Sequence, residues 1–233
     1  MKAVLFDLDG TLLPISEETF TKAYFGSLSQ TLAPAGFDPQ QLIKGVWAGT
    51  KCMMKNDGSK RNDRVFWDEF TRLFDCEEAP VRAMCDAFYA NEFDKLRTVA
   101  APAPYSELVV RVLRNKGYKL VLATNPLFPP VAVETRLRWI GLTMGDFELV
   151  TTYENSRYCK PNPGYYRDIV DALGISAADC LMVGNNVTED MCFASLGGAV
   201  YLVTDNVENP AGIAYADYQQ GSMADFAAYV EEL

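Results

Sequence analysis

Residues 3–12 read Ala3-Val4-Leu5-Phe6-Asp7-Leu8-Asp9-Gly10-Thr11-Leu12, an apolar run of four that breaks abruptly into Asp-x-Asp-Gly-Thr. A short apolar run bounded by a polar turn is the pattern of a strand buried on both faces. Side chains alternate along a strand with period two, so Asp7 and Asp9 at its end can point the same way. One carboxylate can then attack an electrophilic centre while the other exchanges a proton with the departing or attacking oxygen. Gly10 lets the chain turn sharply behind them.

Outward from this stretch the texture changes twice. From about Ser16 to Arg97 the periodicity is helical, with Asp38-Pro39-Gln40-Gln41 supplying an N-cap, a proline at the first helical position and a capping-box glutamine. Helices are predicted over Asp63–Phe74 and Pro80–Leu96, with Lys55 to Lys60 as a polar loop ahead of them. After Pro104 helices and strands alternate. Strands are predicted over Lys119–Ala123, Phe147–Thr151, Cys180–Val183 and Val200–Val203. Helices are predicted over Tyr105–Lys116, Val131–Ile140, Gly164–Leu173 and Ala224–Glu232.

Alternation of this kind implies crossover connections and a parallel sheet covered on both faces. The fold class expected is α/β, a Rossmann-like doubly wound core (residues 1–13 and 102–233) with an inserted all-helical cap (14–101). Leu13-Pro14 and Ala101–Pro104 are candidate hinges between them. Ligands of open α/β sheets sit beyond the carboxyl ends of the strands, so the residues after each predicted strand are the candidates for chemistry.

Those residues form four clusters. The first is Asp7-x-Asp9. The second is Thr124-Asn125, whose hydroxyl and amide can hold an anionic oxygen, with Pro126 contributing no N–H. The third is Lys160, held extended by Pro161, a fixed ammonium suited to neutralising a phosphoryl group. The fourth is Gly184-Asn185-Asn186-Val187-Thr188-Glu189-Asp190, an oxygen-rich run that suits magnesium and also reads as a helix cap with acidic residues in its first turn.

In this order the four clusters resemble the haloacid dehalogenase-like superfamily, over the whole chain. The resemblance implies that Asp7 is the nucleophile and Asp9 the general acid/base. Thr124 and Lys160 bind the phosphoryl group, and Gly10, Thr11 and Asn125 assist in substrate binding. Mg2+ is held by Asp7, Asp9 through its carbonyl, Asn185 and Asp190, with Glu189 as a further ligand. The family usually has Asp directly after the Gly of its last motif. Asn185 stands there in this chain, which implies weaker metal binding.

The expected function is hydrolysis of a small phosphate monoester through an aspartyl-phosphate. The alternatives are a sugar phosphomutase of the same superfamily or a non-catalytic phospho-ligand binder. Superfamily members that cleave carbon–halogen bonds typically lack Asp9, and phosphonate-cleaving relatives typically carry Ala there, so Asp9 favours phosphoryl chemistry.

Composition narrows the choice further. Histidine is absent, which removes Ser-His-Asp and Cys-His mechanisms and His-ligated metals. The net charge of −10 argues against a nucleic-acid partner. The partner expected is a small phosphorylated metabolite, and oligomeric state is not legible. The six cysteines, Cys52, Cys76, Cys85, Cys159, Cys180 and Cys192, form no C-x-x-C pair and read as reduced thiols. With no membrane-length apolar run and no apolar leader before Asp7, a cytoplasmic location is expected. Within the insert, Tyr24 and Trp47 are expected to be core. Lys51, Lys55, Lys60, Arg61 and Arg64 form a basic cluster, read as a solvated helix face rather than a receptor for an anionic leaving group.

Overall fold

The computed structural model describes residues 1–233. Strand β1 (Ala3–Phe6) is followed by four helices, α1 (Glu17–Leu32), α2 (Pro39–Met54), α3 (Asn62–Phe74) and α4 (Glu78–Asn91), and a 3₁₀ run over Phe93–Val99. The chain then alternates through α5 (Ser106–Asn115), β2 (Lys119–Leu122), α6 (Pro130–Trp139), β3 (Leu149–Val150), α7 (Pro163–Leu173), β4 (Cys180–Gly184), β5 (Ala199–Val203), β6 (Gln219–Gly221) and α8 (Met223–Glu232). The six strands are all parallel, in the order β3-β2-β1-β4-β5-β6. Strand order therefore reverses between β1 and β4, and the switch point falls beside Asp7.

All four residues of β1 are fully buried. Val4 and Phe6 face one apolar layer while Ala3 and Leu5 face the other, the alternation a central parallel strand requires. The larger layer does not stop at the sheet. It runs without a break from Val4, Phe6 and Leu122 through Phe20, Tyr24, Phe88 and Phe93 of the helical insert.

Phe93 is the keystone. It stacks on Trp139 of α6 (5.8 Å between centroids, 20° between planes) and meets Phe20, Phe88 and Phe128. The helix predicted over Pro80–Leu96 instead ends at Asn91, and the following 3₁₀ turns aim Phe93 and Leu96 inward. Ala101 N–H donates to the Pro14 carbonyl at 2.8 Å, tying together the two strands of chain that enter and leave the insert.

The insert is also docked by polar groups. Asn62 is fully buried, and its backbone N–H donates to the Ser156 carbonyl at 2.9 Å; Asp63 N–H donates to Tyr153 O at 2.9 Å. Asn56 Nδ2 bridges Lys60 O (2.8 Å) and Asn62 Oδ1 (2.9 Å). The polar loop expected over residues 55–60 thus braces Asn62, and the start of α3 is what docks on the sheet-bearing half.

Two further expectations change. Trp47 is 41 % exposed rather than core, because α2 presents it at the rim beside Phe25. Strand β6 was not predicted: Gln219 and Gln220 carry no apolar signal, and the strand sits on an exposed sheet edge where none is needed.

Because Phe93 is fully buried among aromatics from both halves, Phe93→Ala is expected to lower unfolding free energy by about 3–5 kcal/mol. Urea denaturation checks this; a loss under 1 kcal/mol would show that the insert does not depend on this packing.

Candidate active site

Asp7 follows β1 directly and its N–H donates to the Val183 carbonyl at 2.9 Å, continuing the sheet ladder one residue past the strand. The chain then turns tightly, with Gly10 at φ +84°, and Gly10 N–H donates to Leu13 O at 2.8 Å. Any side chain at position 10 would both strain this conformation and strike the Asn185 amide. Gly184 is equally constrained: a Cβ there would collide with the Asp190 carboxylate. The two glycines let the loops after β1 and β4 approach each other.

Lys160 lies one turn ahead of α7, whose N-cap Asn162 accepts from Gly164 N–H at 2.8 Å, with Pro163 at the first helical position. The Lys160–Pro161 peptide is cis. The ammonium is buried and donates to Asp7 Oδ1 at 2.8 Å and to Asp190 Oδ1 at 2.6 Å. Burial opposes its charge, but Asp190 and Asp7 outweigh burial and hold Lys160 protonated, its pKa well above that of an ordinary lysine. The second Asp190 oxygen accepts from Asn186 N–H at 2.9 Å, so both oxygens of this fully buried carboxylate are engaged by the protein.

Thr11 Oγ1 donates to Asn185 Oδ1 at 3.0 Å and lies 3.4 Å from Asp7 Oδ2. Asn185 Nδ2 donates to Asn206 O at 2.7 Å. These two bonds fix which end of the amide is oxygen. The Asn185 oxygen therefore converges with Asp7 Oδ2 on one hydroxyl at the cleft floor. A small set of hard oxygens at the mouth of a parallel sheet matches magnesium, which uses few protein ligands and completes its shell with water and substrate. No three acidic or thiol side chains form a metal cage of their own.

Asn125 links two of the other clusters. Its Nδ2 donates to Glu189 Oε2 at 2.9 Å and its Oδ1 accepts from Lys160 N–H at 3.3 Å. Glu189 is pushed up to about 7, by burial first and by the Asp190 and Asp7 charges, against the pull of Lys160. Thr124 is positioned through its carbonyl, which accepts from Thr151 Oγ1 (2.7 Å) and Tyr165 OH (2.9 Å).

A cavity of about 320 Å³ opens above these groups, between the sheet and α1–α4. Asp7, Asp9, Thr124, Asn125, Asn185, Glu189 and Asp190 all border it. Gly10, Thr11 and Lys160 do not; Thr11 and Lys160 hold Asn185 and Asp7 by hydrogen bonds, and Gly10 leaves room for the Asn185 amide.

Arg136 escaped the sequence reading. It sits on the buried face of α6, fully enclosed, with its guanidinium 4.5 Å from the Phe128 ring centroid and 5.7 Å from that of Phe20. Its Nη1 donates to Asp9 Oδ2. Asp9 is shifted upward by loss of solvent in the cleft, against the opposing charge of Arg136. The available signal was a charge on an apolar stripe, since Arg136 falls one helical turn from Ala132 and Val133. Glu208 was also missed. It accepts from Asn186 Nδ2 at 3.0 Å and its N–H donates to Asn185 O at 3.0 Å, bracing the loop after β4 from an irregular segment that carries no pattern.

The basic cluster of the insert stays outside the cavity. Lys60 pairs with Asp68 (2.7 Å), Arg61 with Asp63 (3.0 Å) and Arg64 with Glu78, and neither these nor Lys51 and Lys55 border the cavity.

With this geometry in view, the chain can be set beside known proteins. Residues 1–198 match the family model described as haloacid dehalogenase-like hydrolase. A phosphoglycolate phosphatase of Neisseria gonorrhoeae is 27% identical over 202 residues, covering 86% of this chain and 78% of its own. A glyceraldehyde 3-phosphate phosphatase of Methanopyrus kandleri is 26% identical over 208 residues, covering 86% of this chain and 82% of its own. Among solved structures, a HAD phosphatase from Thermococcus onnurineus superposes with a TM-score of 0.61 at 21% identity, covering 99% of this chain and 98% of its own. An aspartate-bearing strand at the switch point, a lysine clamped between two strand-end carboxylates and a family match over 198 residues agree: the chain belongs to the haloacid dehalogenase-like hydrolases.

Proposed function

We propose that this hydrolase is a magnesium-dependent phosphatase that cleaves small phosphate monoesters through a phosphorylated Asp7. The observation that carries the reading is the Lys160 ammonium at 2.8 Å from Asp7, behind a cleft whose walls carry several carboxylates and no lysine or arginine. Asp7 attacks phosphorus with one oxygen of its carboxylate, the other being left to the metal, while the leaving oxygen departs on the opposite side. Asp9, held by Arg136, gives that oxygen a proton. Asp9 then takes a proton from the water that cleaves the aspartyl-phosphate. Thr124 and Asn125, on the cavity wall, hold phosphoryl oxygens, and Lys160 offsets their charge from behind.

Asp7 Oδ2, the Asp9 carbonyl and Asn185 Oδ1 would hold magnesium, with Glu189 and Asp190 bordering the same opening. Bound there, the ion supplies positive charge against the phosphoryl oxygens and the carboxylates around them. Asp7, Asp9, Glu189, Asp190 and Glu208 all border the cleft, against the Lys160 and Arg136 cations behind it. A phosphate dianion entering this excess of like charge favours a divalent partner.

Residues 14–101 act in this reading as a cap domain that keeps bulk water from the intermediate, over a core of residues 1–13 and 102–233. All six cysteines are unpaired, in keeping with a reducing compartment. No helix is long and apolar enough to cross a membrane.

Asp7→Asn is expected to lower magnesium-dependent phosphate release by about 10⁴-fold or more, and near-normal turnover would refute its role. Lys160→Met is expected to cost roughly 10²–10³-fold in kcat. Asn185→Asp restores one anionic oxygen and is expected to tighten the magnesium requirement by about tenfold, read as the half-saturating concentration. No change in that concentration would remove Asn185 from the metal site.

A further inference from the structure

The cavity above Asp7 continues into the helical insert, and its far walls are built from α1–α4. Those walls are aromatic and aliphatic: Phe20, Tyr24, Phe25, Val46, Trp67 and Phe70 among them. No lysine or arginine borders the cavity at any point. The ionised side chains that the insert adds to these walls are Glu17 and Asp86, both acidic. Three cations of the insert, Lys60, Arg61 and Arg64, are paired with Asp68, Asp63 and Glu78 away from the cavity.

A leaving group bearing a carboxylate would lose its water here and meet no cation on the walls, since Arg136 lies behind Phe20 and Phe128 and is already paired with Asp9. In a low-dielectric enclosure that loss is not recovered, and acidic neighbours add repulsion. An apolar leaving group meets the opposite situation, since its burial against Phe25 and Val46 is favourable in proportion to area. The Tyr24 and Tyr89 hydroxyls, 2.9 Å apart and mutually hydrogen-bonded, provide neutral polar atoms in this enclosure and no charge.

We infer that the substrate is the phosphate monoester of an uncharged alcohol with an apolar, ring-sized body, and that carboxylate-bearing esters such as phosphoglycolate are rejected. The inference rests on the phosphatase reading for its chemistry, but the selectivity of the cavity can be measured without turnover.

Two measurements with magnesium present separate them. The first compares binding of the non-hydrolysable pair benzylphosphonate and phosphonoacetate by calorimetry. The second compares kcat/KM for benzyl phosphate and phosphoglycolate. Benzylphosphonate is expected to bind, and benzyl phosphate to turn over, about 10²-fold better than the carboxylate partner. Equal or tighter binding of phosphonoacetate overturns the inference. Tighter benzylphosphonate binding with neither ester hydrolysed upholds the cavity's selectivity and defeats the phosphatase reading instead. Thr21→Lys and Thr50→Lys each place a cation on the cavity wall at a half-buried polar position. Either is expected to narrow the ratio at least tenfold by improving phosphonoacetate binding; a ratio unmoved in both would count against charge as its cause.

Discussion

One ammonium group organises the site. Lys160 Nζ is enclosed between Asp7 and Asp190, which leave the sheet from adjacent parallel strands. Without it two carboxylates would face each other in a dry cleft, and one would be driven to take up a proton. With it, Asp7 keeps an ion-paired oxygen toward Lys160 and a second oxygen toward Thr11 and Asn185. Much else in the core serves this arrangement. Asn162 and Pro163 start α7 where Lys160 must stand, Gly184 makes room for Asp190, and Asn125 ties the Lys160 backbone to Glu189. Arg136 does for Asp9 what Lys160 does for Asp7, from beneath two aromatic rings rather than from a loop.

The helical insert shares the core of the sheet instead of resting on it. Phe20, Tyr24 and Phe93 from the insert pack with Phe128 and Trp139 from the sheet's flank, so apolar burial joins the two halves. The junctions at Pro14 and Ala101 are hydrogen-bonded to each other, so the chain enters and leaves the insert side by side. The same aromatic packing that closes the insert also lines the cavity. Phe20 and Tyr24 therefore belong at once to the core of the insert and to the cavity wall.

Much of the fold was legible because a central parallel strand is written as an uninterrupted apolar run followed by polar residues. Ala3–Phe6 with Asp7, and Cys180–Gly184 with Asn185, are such runs, and the structure places both side by side at the switch point. The strand ends brought Asp7, Asp9, Thr124, Asn125, Asn185, Glu189 and Asp190 to one cavity. What stayed hidden has physical causes. Strand β6 has no apolar residue because an edge strand needs none. Arg136 is indistinguishable in sequence from a solvated helix arginine, since only tertiary packing puts Asp9 opposite it. Trp47 lies on the rim although its composition suits a core, because α2 turns Leu42, Val46 and Met53 inward and leaves it outside. The absence of cations from the cavity is a property of orientation: the insert is rich in Lys and Arg, and none of them points inward.

The most direct measurement of the central claim is acid quenching during turnover of a small phosphate ester with magnesium, followed by peptide mapping of the protein by mass spectrometry. Phosphate on the peptide 3–12, assigned to Asp7 and absent from Asp7→Asn, is the predicted result. Steady phosphate release with no phosphorylated peptide, or with the label on another residue, would contradict a mechanism built on Asp7 as nucleophile.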